Sequence, residues 1–350
     1  MTVGEIREAH RFDEDALQAW MRDRIDGFTG GLRVRQFDSG QSNPTFLLSA
    51  GDVDYVLRKK PPGELLPKAH MVEREYRIMK ALAHSDVPVP RMLVLCEDES
   101  VIGTPFFLME RVQGRQFNDA ALPDQPPESR SALYLGMCRA LVAVHQVDYK
   151  AAGLGDYGRP GNYFARQIRR WAQQYESAKT EDIESMDRLV EWLPENVPDD
   201  DTTSIVHGDF RLDNMIFHAS EPRVAALLDW ELSTIGNPLA DLAFSCMFYH
   251  MDFWSHTALS SVAGKDSGIP TEEEFVAQYC RLTDRTDIPH WDFYLAFSLF
   301  RLASILQGVY KRGLQGNAAS DSALRVGRRA RTAGDTAWEL VGGTNVSREP

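Results

Sequence analysis

What the chain has little of narrows it first. Cysteine occurs only at positions 96, 138, 246 and 280, far apart, in apolar surroundings and without a C-x-x-C pair. That spacing supports neither a zinc site nor a disulfide framework; reduced core thiols in a cytoplasmic protein are the expectation. No stretch of ~18 uninterrupted apolar residues occurs. The opening MTVGEIREAHRFDEDAL carries acids early and lacks an apolar run, so neither secretion nor a membrane span is expected. Basic side chains are the minority, 38 against 51 acidic ones, giving a formal net charge of −13. Such an excess opposes a broad electrostatic footprint for nucleic acid or anionic lipid. Internal repeats and low-complexity tracts are missing too.

What remains is ordinary globular material. Hydrophobic residues make up 43% and charged ones 25%, which fits an enzyme or binding protein rather than a disordered chain. A length of 350 residues allows two domains or lobes. The first section mixes helix and strand. DEDALQAWMRDRIDGF has Leu17, Trp20, Met21 and Ile25 at helical spacing, with Asp13 as N-cap. LRVRQFD, TFLLSA and DVDYVLRKK then read as a three-stranded antiparallel meander. A helix over LPKAHMVEREYRIMKALAHS follows, then strands at PRMLVLCED and TPFFLMERV. From about Pro126 the pattern is helical, interrupted by a hairpin formed by NMIFH and AALLDW. The expected fold class is therefore α+β and bilobal: a small antiparallel-sheet lobe with one long helix over residues 1–113, and a larger, mostly helical lobe over 114–350. The active site is expected in the cleft between lobes.

The chemistry concentrates in IVHGDFRLDNMIF, residues 205–217, which contains His207, Gly208, Asp209 and Asn214; Asp229 follows fifteen residues after Asn214, at the end of an apolar run. Phosphoryl transfer from ATP needs one carboxylate to orient or deprotonate the attacking hydroxyl and separate oxygen ligands for Mg²⁺. A loop that supplies a carboxylate and an asparagine, joined by a hairpin to a second aspartate, can place all three around one metal-phosphate centre, and magnesium prefers such hard donors. On these motifs the chain resembles the protein-kinase-like superfamily, in its aminoglycoside phosphotransferase and choline kinase branch, where the loop reads H-G-D and no D-F-G follows.

The resemblance implies roles. Asp209 would be the catalytic carboxylate, Asn214 and Asp229 the metal ligands, and His207 and Asp241 would brace the loop. The fold needs a strand cation for the phosphates and a helix carboxylate to orient it. Arg58 and Glu75 match, with Lys59 or Lys60, and Glu73, as alternatives. Strand alternation places Val56 and Arg58 on one face. FFLMERVQG resembles the hinge, which implies adenine contacts at Met109, Glu110 and Val112. No G-x-G-x-x-G is present; SGQSNP would have to cover the phosphates with Ser39, Gly40 and Ser42. The short segment after Asp229 and the missing A-P-E disfavour a protein substrate.

FYLAFSLFRLASILQGVYKRGLQGNAAS and LLDWELSTIGNPLADL look like the kinase-like domains fused to one branch of acyl-CoA dehydrogenases, which implies a hydroxylated acyl acceptor. A polycationic sugar would want clustered acids near the helical lobe, but Glu272, Glu273 and Glu274 open a helix and read as dipole partners. The expected activity is ATP- and Mg²⁺-dependent phosphorylation of a small-molecule hydroxyl, with acceptor and oligomeric state open. A non-catalytic ATP-binding module and an AMP transferase are the rivals.

Overall fold

The computed structural model describes residues 2–38, 43–62, 70–252, 258–264, 266–316 and 322–343. The chain opens with a two-residue strand β1 (Val3–Gly4) and helix α1 (Glu14–Arg22). Asp13 caps α1 by accepting from the Ala16 N–H at 2.9 Å. The apolar spacing predicts a helix to about Phe28, but α1 stops six residues earlier in tight turns leading to Gly27, while Ile25 and Phe28 remain buried. Burial of the stripe, rather than helix propensity, holds this segment in place.

The meander follows as β2 (Leu32–Phe37), β3 (Thr45–Ala50) and β4 (Val53–Lys59). After α2 (Val72–Leu82) come β5 (Met92–Cys96) and β6 (Phe106–Glu110). All six strands form one antiparallel sheet in the order β1-β2-β3-β4-β6-β5, so β6 inserts beside β4. Alternation along β4 sorts its side chains. Tyr55 and Leu57 join Leu17, Met21, Phe46, Phe106 and Leu108 in the core under α1. Each large side chain hidden there contributes about 1.5–3 kcal/mol. Arg58 points to the opposite face, where α2 packs.

The remaining elements are α3 (Pro127–Gln146), α4 (Tyr163–Ala178), α5 (Glu184–Glu195), β7 (Ser204–Val206), β8 (Met215–Phe217), β9 (Val224–Leu227), β10 (Thr234–Gly236), α6 (Leu239–Cys246), α7 (Glu272–Leu282), α8 (Trp291–Leu314), α9 (Ala323–Gly327) and α10 (Arg329–Leu340). The β8–β9 hairpin is present as read, whereas the β7–β10 pair is new, because three-residue strands are too short to show alternation. The last predicted helix is two, α9 and α10, parted at Arg328.

These elements group into two compact units: residues 1–116, 150–154 and 214–233, and residues 117–149, 155–213 and 234–350. The first thus holds the six-stranded sheet and the β8–β9 hairpin. The second is built around α8, with α4, α6 and α10 packed on it. Helix α8 is long and apolar enough to cross a bilayer by length and composition, but it lies buried inside its unit. Phe164 of α4 meets Phe293, Tyr294 and Phe297 of α8 with ring centroids 5.1–5.5 Å apart. All four cysteines are buried and free.

Within the first unit, Gly114 shows why a glycine ends the segment after β6. Arg115 and Phe217 exchange two backbone hydrogen bonds of 2.8 Å, and a Cβ on Gly114 would sit 2.1 Å from the Phe217 carbonyl oxygen. Gly114→Ala should therefore destabilise the fold by about 1–3 kcal/mol, read from denaturant unfolding. An unchanged midpoint would show that the chain yields freely there.

Candidate active site

In the first unit, strand β4, helix α2 and the segment after β9 converge on one guanidinium. Arg58 Nη2 donates to Asp229 Oδ1 at 2.5 Å, and Nε lies 2.8 Å from Glu75 Oε2. The second contact is ionic without hydrogen-bond alignment, since neither atom gains a bonded partner through it. Glu231 Oε2 is 3.8 Å from Nη2. Arg58 is 7% exposed and Glu75 2%. Three carboxylates thus approach one buried cation. Burial pushes Glu75 upward, Arg58 pulls it back, and Asp229 and Glu231 add to the rise; the net shift is upward, to about 7. Arg58 itself stays protonated, its burial outweighed by the surrounding carboxylates.

The alternatives to this pair point elsewhere. Lys59 lies over the rings of Phe12 and Phe46, 5.5 and 6.0 Å from their centroids. Lys60 bridges to Glu73 at 3.0 Å, a second pair beside the first. Asp229 has φ +65°, in the left-handed region that only short polar side chains tolerate at modest cost. The Leu228 N–H donates to the Asn214 carbonyl at 2.9 Å, so Asn214 stands across from the residue preceding Asp229. A carboxylate and an amide oxygen suit Mg²⁺, which fills its remaining positions with water and phosphate oxygens. Among the described residues no group of three His, Cys, Asp or Glu side chains forms a self-contained metal centre.

In the segment expected to meet adenine, Glu110 and Met109 pair with β4 and Met109 also with β5, and the Glu110 side chain accepts from the Arg91 N–H at 2.9 Å. Val112 follows the strand, and its N–H takes no backbone partner among the described residues. Ser39, Gly40 and Ser42, assigned to cover phosphates, lie outside the described residues.

In the second unit the loop carrying Asp209 is held from below. The carboxylate of Asp241, on α6 and 1% exposed, accepts from the His207 N–H at 2.6 Å and the Gly208 N–H at 2.8 Å. Its Oδ2 also meets His145 Nε2 at 3.4 Å, and His145 Nδ1 is 2.9 Å from the Tyr279 hydroxyl. Burial alone would raise Asp241; hydrogen bonding and charge from His145, with help from His207 and the Gly208 N–H, hold it below the ordinary carboxylate range instead. Gly208 has φ +86°, which reverses the chain so that the Asp209 N–H returns to His207 Nδ1 at 3.2 Å. Phe210, fully buried, anchors the loop from its other side. Asp209 remains partly exposed, with Arg211 Nε 3.4 Å from its Oδ2.

Arg58, Glu75 and Asp229 meet in the first unit, which takes in residues 214–233 and so Asn214 and Asp229, expected with the helical lobe over 114–350; His207, Asp209 and Asp241 meet in the second. Sequence reasoning missed Glu231, His145 and Arg211. Glu231 and Arg211 sit two residues from motif aspartates, which was the available signal; His145 carried none.

The first unit holds a strand cation paired with a helix carboxylate and an aspartate at the end of a hairpin, and the second holds an aspartate on a braced H-G-D loop. Residues 33–294 match the family model described as the phosphotransferase enzyme family, APH. The chain belongs to that family, and its α+β fold is protein-kinase-like. It is 46% identical over 340 residues to acyl-CoA dehydrogenase family member 10 of Mus musculus, covering 96% of this chain and 32% of that protein. It is 47% identical over 352 residues to family member 11 of Gallus gallus, covering 97% and 44%. The chain thus spans less than half the length of these relatives. A crystal structure from Ralstonia eutropha JMP134, provisionally named an aminoglycoside phosphotransferase, matches with TM-score 0.87 and 50% identity over 95% of this chain and 99% of that one. Aminoglycoside phosphotransferase APH(4)-Ia, in complex with AMP-PNP and hygromycin B, shares the fold at TM-score 0.62 and 16% identity, over 94% and 100%.

The crowding of carboxylates on Arg58 has a measurable consequence. Arg58→Met removes the cation that holds Glu75 down, so the folded-state pKa of Glu75, already raised by burial, rises further above the unfolded one. A group whose folded pKa is raised supports the fold below its unfolded value, and that support is lost as pH rises through the folded value. The variant should lose about 3–5 kcal/mol at neutral pH and recover part of it near pH 5, measured by denaturant unfolding at both. A loss independent of pH would contradict the charge argument.

Proposed function

We propose that the protein is an ATP- and Mg²⁺-dependent phosphotransferase acting on a hydroxyl of a small molecule. The observation that carries this is the Arg58 cluster: a buried guanidinium, held by Glu75 on a helix and hydrogen-bonded to Asp229 at the end of a hairpin, puts a phosphate-binding cation beside a carboxylate able to hold a metal. Arg58, held by Glu75, would bind phosphate oxygens. Asn214 and Asp229 would hold Mg²⁺, which when bound supplies charge neutralisation for the phosphates. Met109, Glu110 and Val112 would edge the adenine through backbone groups, and Ser39, Gly40 and Ser42 would cover the phosphates. Asp209 would orient the acceptor hydroxyl and accept its proton as the acceptor oxygen bonds the γ-phosphorus. The bond from phosphorus to the bridging oxygen breaks, and ADP leaves with the electron pair.

For the acceptor, a hydroxyacyl compound fits better than an aminoglycoside. A narrow crevice in the second unit is lined by Tyr134, Met137, Leu212, Phe248 and Leu259 together with Arg211 and Asp213. It suits an apolar branch or chain end. The acyl-CoA dehydrogenase names of the longer relatives point the same way. The four buried free thiols support a reducing, cytoplasmic location.

An ADP-release assay across hydroxyacyl compounds, choline-like alcohols and aminoglycosides tests the reading, with mass spectrometry of the product. A phosphoryl addition to a hydroxyacyl compound is expected; an adenylyl addition would make the protein an AMP transferase, and no addition a nucleotide-binding module. Asp209→Asn should lower turnover by a factor on the order of 10² or more with ATP affinity little changed. Full activity in that variant removes Asp209 from its role.

A further inference from the structure

Helix α8 is apolar along most of its length, yet it buries an arginine. Arg301 is 7% exposed. Its guanidinium lies between two rings, 5.5 Å from the Trp171 centroid on α4 and 5.3 Å from that of Phe244 on α6. It enters no ion pair among the described residues, and its Nε has no hydrogen-bond partner there. A buried cation without a carboxylate is costly, and ring faces offset that cost only in part. A leucine or methionine would pack on this helix more cheaply. Among the described residues the group makes one hydrogen bond, in which Nη2 donates to the Gly208 carbonyl at 2.6 Å.

That carbonyl shares a peptide plane with the Asp209 N–H. The plane is thus gripped at both ends, its oxygen by Arg301 and its N–H by His207 Nδ1 at 3.2 Å. The two preceding planes are fixed through the His207 and Gly208 N–H groups by Asp241. Gly208, at φ +86°, has no Cβ to restrict its own rotation, so the plane that follows it can turn unless something outside the loop holds its oxygen. Turning it would re-aim the Asp209 side chain. We infer that Arg301 is a positioning residue: held between Trp171 and Phe244, it locks the peptide plane between Gly208 and Asp209 and so sets the direction of the Asp209 carboxylate. Charge matters here because a cation polarises the peptide, which strengthens the N–H donor facing His207.

The catalytic half of this inference rests on the proposed phosphotransferase reading; the geometric half does not. Arg301→Met keeps length and apolar packing while removing the donor, and Arg301→Lys keeps the charge and one donor. Hydrogen-exchange mass spectrometry of the full chain should show faster amide exchange in Arg301→Met confined to the segment around His207–Phe210, with Arg301→Lys intermediate. Where the wild-type protein transfers phosphate, Arg301→Met should lower kcat about 10- to 100-fold with KM for ATP within about twofold, and lysine should restore part of kcat. Unchanged exchange in the loop overturns the inference. So does a loss of protection spread evenly across α4, α6 and α8, which would make Arg301 merely a packing residue. If the wild-type protein transfers no phosphate, the proposed function fails while the exchange experiment still decides the role of Arg301.

Discussion

A buried carboxylate that accepts backbone N–H groups is the constraint on which the H-G-D loop depends. Asp241 sits on α6 with almost no solvent contact and takes two successive N–H groups, from His207 and Gly208, at 2.6 and 2.8 Å. Neither group has a place in a regular ladder, because β7 ends at Val206. Without Asp241 both would be buried without partners, at a cost of about 1–3 kcal/mol each. His145 and Tyr279 extend the support back into α3 and α7, so three helices contribute to the conformation of two residues. This geometry leaves the Asp209 side chain partly exposed while its backbone is fixed.

The first unit solves a different problem. Its cluster is organised by charge, and its members come from β4, α2 and the turn after β9. Arg58 lies within 3.8 Å of carboxylate oxygens from all three, so one cation answers to several anions. The poor alignment between Arg58 and Glu75 follows from this competition, since the well-formed hydrogen bond goes to Asp229. A guanidinium can serve several oxygens at once because its donors fan out in a plane, which an ammonium cannot do in the same way. An arginine at this strand position is therefore matched to a crowded acidic surrounding.

How much of this was legible depended on how local the chemistry is. The H-G-D-x-x-x-x-N spacing and Asp229 stood out because one loop and one hairpin carry them. The face on which Arg58 lies could be read from strand alternation alone, and burial of Tyr55 and Leu57 on the other side explains why. His145 and Arg301 could not be found that way. They lie 96 residues from Asp241 and 93 from Gly208 in sequence, and a histidine or arginine on an amphipathic helix ordinarily faces solvent. The helix limits failed for a related reason: apolar spacing marks what is buried, and at α1 burial continues through Ile25 and Phe28 after the helix itself has ended. Ser39, Gly40 and Ser42 fall outside the described residues.

The two clusters respond to protons in opposite senses. Asp241 is held below its ordinary value, so it supports the fold above the unfolded carboxylate range and loses that support as pH falls through its folded value. Glu75 is pushed from 4.5 to about 7, so its contribution is complete below 4.5 and is lost as pH rises toward 7. Mild acidity thus suits both, and at neutral pH the first unit carries the electrostatic penalty. A divalent cation among these oxygens would lower that penalty by favouring ionised carboxylates, which couples metal affinity to the same titration. The first cluster is thus the one whose protonation a bound cation would shift, while the residue proposed to meet the acceptor stands on a loop that Asp241 braces at neutral pH.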